Sequence, residues 1–248
     1  MTTRPFNLKP HEVRGIIDGR LTQLRRPIKP QPGLYDCGRL GKVILWPGKH
    51  PPATQTSDRE IWIREGSPFG SVGDLLWGRE SWGVGTRPHP AMGWIDGIEY
   101  KADVSAMDDP RLSLPMRQIE PPDGISLCDY ESKGWRSSTA MPQWASRITV
   151  EVLDIRAHRL HDITAAEIQA SGTQLHITLD ENDPNQGRPL ICVSGRYPML
   201  DYLPANNASL DDYYRAEFAS QWDQDFAKTA PWPTNPWVFA AIVRRISQ

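Results

Sequence analysis

The stretch GDLLWGRESW at residues 73–82 decides the fold. Its first two residues, Gly73 and Asp74, are typical of a turn, and the apolar run that follows predicts a strand over Leu75–Trp82. Because Arg79 and Glu80 are neighbours, their side chains would point to opposite faces of that strand. Only one of the two can therefore face a binding cleft, and we expect the other to form a structural ion pair.

Outward from this stretch, the sequence indicates further short strands separated by turns. An Asp96-Gly97 turn flanked by apolar residues predicts a β-hairpin over residues 94–100. Pro236–Ile246 is apolar on both faces, which is typical of a central strand. The remaining predicted strands are Lys42–Trp46, Glu60–Arg64 and Arg147–Arg156, with a loop over 50–57 between the first two.

Three helices are expected beside these strands. Residues 10–18 carry apolar side chains at helical spacing, with Gly19 at the position of a left-handed C-cap. A capping-box pattern begins at Thr164 and the helix ends before Gly172, and Ser209–Asp225 predicts a longer helix. Two irregular stretches, 104–140 and 173–208, are interpreted as insertions. The pattern predicts one α+β domain over 1–248, a β-barrel with helices packed outside it and long loop insertions.

Composition excludes several classes of protein. The 248 residues carry a formal net charge of −2, so no global positive field favours nucleic acid. The three cysteines are far apart and form no CxxC pair, which argues against a zinc site or a disulfide framework. The N-terminal residues have no signal-peptide core, and no apolar run is long enough to span a membrane. These features predict a cytoplasmic protein with no metal and no cofactor.

Charge is unevenly distributed along the chain. Residues 1–29 contain seven Lys or Arg and two acidic residues, a local net charge of +5. Residues 180–225 contain nine acidic residues and three arginines, a local net charge of −6. The basic segment suits phosphate or base-edge contacts, although a solvated charged face is an equally good interpretation of so short a run.

Five blocks of the sequence, in order, resemble the ASCH domains of phage and prophage proteins. GRLTQLRR at 19–26 resembles the GxKxxTxR signature, and 73–82 resembles a GDxLWVRETW block. The other three are MPQWASR at 141–147, DIT at 162–164 and NPWV at 235–238, which resemble MPxWASR, DIS/T and NPWVW.

The resemblance implies a PUA-like barrel with a cleft for RNA or a modified nucleoside. Small ASCH enzymes remove the acetyl group from N4-acetylcytidine with a lysine, a threonine and a glutamate. This sequence departs from the family there, because Leu21 and Leu24 occupy the lysine and threonine positions and Ser171 aligns with the glutamate. Leucine can neither donate nor accept a proton. The resemblance therefore implies that the usual amide hydrolysis is lost, and we assign no catalytic residue.

The leading hypothesis is a nucleic-acid-binding module, RNA rather than DNA, that uses arginines and aromatic rings. The candidate contact residues lie in the motif blocks and are Arg20, Thr22, Arg25, Arg26, Arg79, Glu80, Trp82, Trp144, Ser146 and Arg147.

Two alternatives stay open. The chain could be an enzyme that acts on RNA or modified nucleosides through other residues, either as an amidohydrolase or as a ribonuclease. It could instead be a phage protein that binds a host protein through its two insertions. In the phage case, the expected compartment is the cytoplasm of the host cell.

Overall fold

The computed structural model describes residues 1–36, 42–45, 66–89, 93–104, 116–130, 134–179, 189–192 and 209–246. The chain divides into two compact units. Unit 1 comprises Met1–Gly19, Phe69–Asp154 and Val243–Gln248, and unit 2 comprises Arg20–Pro68 and Ile155–Ile242.

The protein is a mixed α+β structure with more strands than helices among the described residues. The strands are β1 (Thr3–Asn7), β2 (Gln23–Pro27), β3 (Gly33–Asp36), β4 (Lys42–Leu45), β5 (Leu75–Arg79), β6 (Trp82–His89), β7 (Gly93–Tyr100), β8 (Met116–Arg117), β9 (Thr149–Arg159), β10 (His176–Leu179), β11 (Pro189–Cys192) and β12 (Trp237–Ile246). The helices are α1 (Pro10–Ile17), α2 (Lys101–Val104), α3 (Ala165–Ala170) and α4 (Leu210–Phe226).

In unit 1, β5 is paired on both sides. It lies parallel to β1 and antiparallel to the first half of β9. The carboxylate of Asp74, in the turn before β5, accepts hydrogen bonds from the backbone N–H groups of Thr2 (2.7 Å) and Ser71 (3.1 Å). The predicted turn at Gly73 and Asp74 thus also fixes the N-terminal strand, which the sequence pattern did not predict.

The strand predicted over Leu75–Trp82 is two strands. β5 ends at Arg79 and β6 begins at Trp82. Between them, the Glu80 side chain is buried and bound to Arg147. The break between the two strands therefore falls at the buried, paired side chain of Glu80.

The predicted hairpin turn at Asp96-Gly97 is wrong. Both residues lie inside β7, which pairs with β6 along its length and with β8, and the connection between β6 and β7 falls between His89 and Gly93. A Cβ at Gly97 would lie 2.6 Å from Met116 Cγ and 2.9 Å from the backbone oxygen of Arg117. Gly97 therefore permits a close strand approach, which produces the same Asp-Gly sequence signal as a turn.

In unit 2, β12 lies between β9 and β2. This confirms the central strand predicted over Pro236–Ile246. β12 is antiparallel to β2, with Ala240 directly opposite Arg25. Val238 joins an apolar core beneath α4 that includes Ile168, Phe218 and Trp222.

The predicted helices are confirmed within one or two residues. Thr164 caps α3 and Ser209 caps α4, each through a hydroxyl that accepts a hydrogen bond from the third backbone N–H of the helix. Gly19 and Gly172 follow α1 and α3 with φ of +73° and +80°. These are the left-handed angles that the sequence interpretation assigned to C-caps.

The stretch 173–208 is not wholly irregular, since β10 and β11 form a hairpin within it. The stretch 104–140 includes the two-residue strand β8 and a 3₁₀ helix over Leu127–Tyr130. The predicted strand at 60–64, the loop at 50–57 and Trp46 lie outside the described residues. The described strands form no closed barrel, and the described helices include none that is long and apolar enough to cross a membrane.

Candidate functional site

The ten candidate contact residues fall into both units. Unit 2 contains those of the basic segment, and unit 1 contains those of the other two motif blocks. We therefore consider the two groups separately.

In unit 1, the Arg147 guanidinium is bonded to two carboxylates of the same unit. Its guanidinium makes two hydrogen bonds to the Glu80 carboxylate (2.8 and 3.0 Å) and two to Asp103 (2.9 and 2.8 Å). It also lies 3.9 Å from the centroid of the Tyr100 ring. Burial by itself would lower the pKa of Arg147, but the bonds to the two carboxylates more than offset that effect and raise it. The guanidinium has two carboxylate partners already, so this arrangement is that of a structural ion pair.

The other candidates in unit 1 also make contacts within that unit, although Arg79 is partly exposed. Trp82 is fully buried and contacts Trp144, whose ring lies at 80° to it with centroids 6.4 Å apart. The Ser146 hydroxyl lies 2.8 Å from the backbone oxygen of Gly78 and is buried. Arg79 donates to the backbone oxygen of Thr139 (3.3 Å). We therefore leave the unit 1 residues out of the proposed binding surface.

In unit 2, three arginines converge on the last turn of α3. Arg20 donates to the backbone oxygen of Gly172 (2.9 Å), and Arg25 donates to that of Glu167 (3.3 Å) and to the Ser171 hydroxyl. Arg156 reaches the Glu167 carboxylate at 3.8 Å. Cations near the C-terminal end of a helix satisfy its free carbonyls and its dipole. Arg25 and Arg156 both lie near the Glu167 carboxylate.

Arg25 is the most deeply placed of the three, with 5% of its surface exposed. Its guanidinium also donates to Gln23 Oε1 (2.9 Å) and lies 5.7 Å from the centroid of the Phe218 ring. Burial lowers the pKa of Arg25 to about 10; Glu167 opposes this shift and Arg156 adds to it. Arg25 is thus a buried cation at neutral pH, with no carboxylate in direct contact among the described residues. An anion or acceptor that reaches it would be stabilised.

Glu167 supplies the negative charge of this region. Its carboxylate accepts a hydrogen bond from the backbone N–H of Thr164 (3.1 Å), which completes the capping box of α3. Burial would raise the pKa of Glu167, but the bonds from Thr164 and Gln23 and the charge of Arg25 lower it overall. Glu167 is therefore ionised at neutral pH and serves both the helix cap and the arginines.

His158 lies two residues beyond Arg156 on β9, and hence on the same face of that strand. Its Nδ1 is 2.7 Å from the backbone oxygen of Arg159. A carbonyl only accepts, so Nδ1 carries the proton and Nε2 presents a lone pair in the neutral ring. Burial lowers the pKa of His158, and the positive charge of Arg25 lowers it further, so the neutral form is favoured. The six side chains Gln23, Arg25, Arg156, His158, Glu167 and Ser171 are called the Arg25 cluster below.

The remaining candidates of the basic segment have different environments. Leu21 and Leu24 are buried, whereas Thr22 is exposed. The backbone N–H of Thr22 donates to Ala170 (2.8 Å), which fixes the segment beside α3. Arg26 is partly exposed, and its guanidinium donates to the backbone oxygen of Arg25 (2.7 Å).

Arg156, His158 and Glu167 were not predicted as site residues from the sequence. The capping-box pattern that begins at Thr164 accounted for Glu167 as part of a helix cap only. The resemblance placed Ser171 at the acidic position, yet Glu167 provides the carboxylate near Arg25. The predicted strand ended at Arg156, two residues before His158, and a period-two pattern of polar residues continued to His158 was the available signal.

Among the described residues, no group of three or more His, Cys, Asp or Glu side chains could hold a metal ion. Comparisons with known proteins found no matching family profile, curated protein or solved structure.

Proposed function

We propose that this protein is a nucleic-acid-binding member of the ASCH group, with a PUA-like domain, and that it binds single-stranded RNA in the cytoplasm. Two observations support the proposal: the five motif blocks and the Arg25 cluster. The carrying observation is that Arg20, Arg25 and Arg156 all contact α3 or the turn that follows it. Guanidinium groups gathered in this way are suited to phosphate.

Within the Arg25 cluster, the side chain of Arg156 is exposed to solvent. Its side chain is 53% exposed, and its pair with Glu167 is long, at 3.8 Å. An exposed ion pair of this kind is weak, so the guanidinium can exchange Glu167 for a phosphate oxygen at little cost. Amide hydrolysis by the family's usual residues forms no part of the proposal, because Leu21 and Leu24 are buried apolar side chains.

The test is fluorescence anisotropy of a short labelled single-stranded RNA at low salt, with single-stranded DNA and duplex RNA of the same sequence for comparison. Arg156→Gln should weaken RNA binding about fivefold, because one phosphate contact is lost. Arg244→Gln is the matched control: Arg244 is 66% exposed and pairs with Glu151 at 2.6 Å in unit 1. The proposal fails if no oligonucleotide binds at low salt, or if both variants weaken binding equally.

A further inference from the structure

The Glu167 carboxylate contacts two different parts of unit 2 through its two oxygens. Oε2 accepts hydrogen bonds from the backbone N–H of Thr164 (3.1 Å) and from the Thr164 hydroxyl (3.2 Å). Oε1 lies 3.8 Å from a guanidinium nitrogen of Arg156, which is longer than a hydrogen bond. The first oxygen is therefore fixed at the start of α3, whereas the second holds Arg156 only loosely.

The two partners of this ion pair differ in how firmly they are held. The Glu167 side chain is 23% exposed, belongs to the capping box of α3 and also accepts a hydrogen bond from Gln23. The Arg156 side chain is 53% exposed and projects from β9. Because an exposed ion pair of this length is weak, the guanidinium can turn toward a phosphate, while the capped carboxylate does not follow it. A phosphate bound to Arg156 therefore has a fixed negative charge beside it.

We propose that Glu167 competes with the RNA phosphate for Arg156, and that its charge limits the RNA affinity of the Arg25 cluster. This inference rests on the proposed function and names an autoinhibitory contact within its site. In the free protein, the carboxylate neutralises part of the arginine charge. In the complex, a phosphate oxygen takes the place of Oε1 beside Arg156, and the carboxylate stays on Thr164.

The position of Glu167 in the capping box allows its charge to be removed without loss of the helix cap. Glutamine serves at the third helical position as glutamate does, because its side-chain oxygen accepts the same backbone N–H. Glu167→Gln therefore changes one charge and keeps the bond from Thr164. Asp212 provides a matched control, because it occupies the same position in the capping box of α4 and accepts the backbone N–H of Ser209 (2.9 Å).

The experiment measures binding of the short labelled single-stranded RNA by fluorescence anisotropy at low salt. Glu167→Gln should bind about fivefold more tightly than the wild type, because the negative charge beside the phosphate is removed. Asp212→Asn, which changes the net charge of the chain equally, should change the affinity less than about twofold. In the Arg156→Gln background, Glu167→Gln should gain less than about twofold, because the group for which the carboxylate competes is absent.

Circular dichroism melting of each variant checks that it is folded. The inference is overturned if Glu167→Gln binds no more tightly than the wild type, or if Asp212→Asn gains as much. A gain that is undiminished in the Arg156→Gln background would also overturn it. Each of these results leaves the proposed function standing as long as the wild type binds the RNA, whereas failure of the wild type and every variant to bind removes the proposed function itself.

Discussion

Two arginines in this protein illustrate opposite uses of a buried guanidinium. Arg147 meets two carboxylates in full bidentate geometry. Arg25 is held by carbonyl, amide and hydroxyl oxygens, and its Nε–H has no partner among the described residues. The first arrangement stabilises unit 1 internally. The second leaves charge and a donor that a ligand can use.

This difference predicts the cost of removing Arg147. The Arg147→Ala variant should lose about 3 kcal/mol of unfolding free energy, because Glu80 and Asp103 remain close together without their cation. Arg244→Ala, which removes an exposed pair with Glu151, should cost less than about 1 kcal/mol. Urea denaturation at neutral pH measures both. Equal losses would contradict the structural role given to Arg147.

The pKa of His158 predicts how stability depends on pH. Burial and the charge of Arg25 lower the folded-state pKa, although Glu167 and Asp162 oppose the shift. The unfolded chain, with a histidine pKa of about 6.5, then binds more protons than the folded protein, so this contribution to stability is present above about pH 6.5 and is lost as the pH falls from there through the lower folded-state pKa. The His158→Gln variant lacks the contribution. Urea denaturation across this range should therefore show a wild-type stability that declines relative to the variant, and a constant difference would contradict the assignment.

At the scale of secondary-structure elements, two glycines of β7 show how glycine affects strand packing and the backbone path at a strand end. Gly97 lies within β7 and allows β8 to approach closely, whereas Gly93, at the start of β7, has a φ of +76° and no atom within 4 Å of its Cβ position. The same residue type therefore serves close packing at one position and chain reversal at the other.

These roles predict different costs for alanine. Gly97→Ala should destabilise the protein by about 2 kcal/mol, because the Arg117 backbone oxygen cannot move aside without disturbing the pairing of β7 and β8. Gly93→Ala should cost about 1 kcal/mol from backbone strain alone. Thermal melts of the two variants provide the comparison. A larger cost at Gly93 than at Gly97 would contradict the observed strand register.

At the scale of the whole molecule, the net charge of −2 limits binding to a local site. Three arginines of the Arg25 cluster and its surroundings can neutralise about three phosphates, so the logarithm of the RNA affinity should fall with the logarithm of salt concentration with a slope of about −2. A titration between about 50 and 200 mM salt measures this slope. A slope near zero would exclude a phosphate-dominated contact, and a much steeper one would require cations beyond this cluster.

The sequence alone determined the features that depend on local chemistry. Capping residues, left-handed glycines and apolar periodicity located α1, α3, α4 and β12, because each signal acts within a few residues of the element that it specifies. The sequence likewise predicted that one of Arg79 and Glu80 forms an ion pair, but the structure decided that it is Glu80.

Tertiary structure decided which charged side chains are used in internal ion pairs and which are not. The sequence placed Arg147 and Arg25 in the same candidate surface. Packing gave Arg147 two carboxylate partners, whereas Arg25 has none in direct contact within the described part of the chain. It also brought His158 and Glu167, from separate elements, to the arginine of β2. Such groupings depend on strand order and register across long stretches of chain, and no local pattern of residues encodes them.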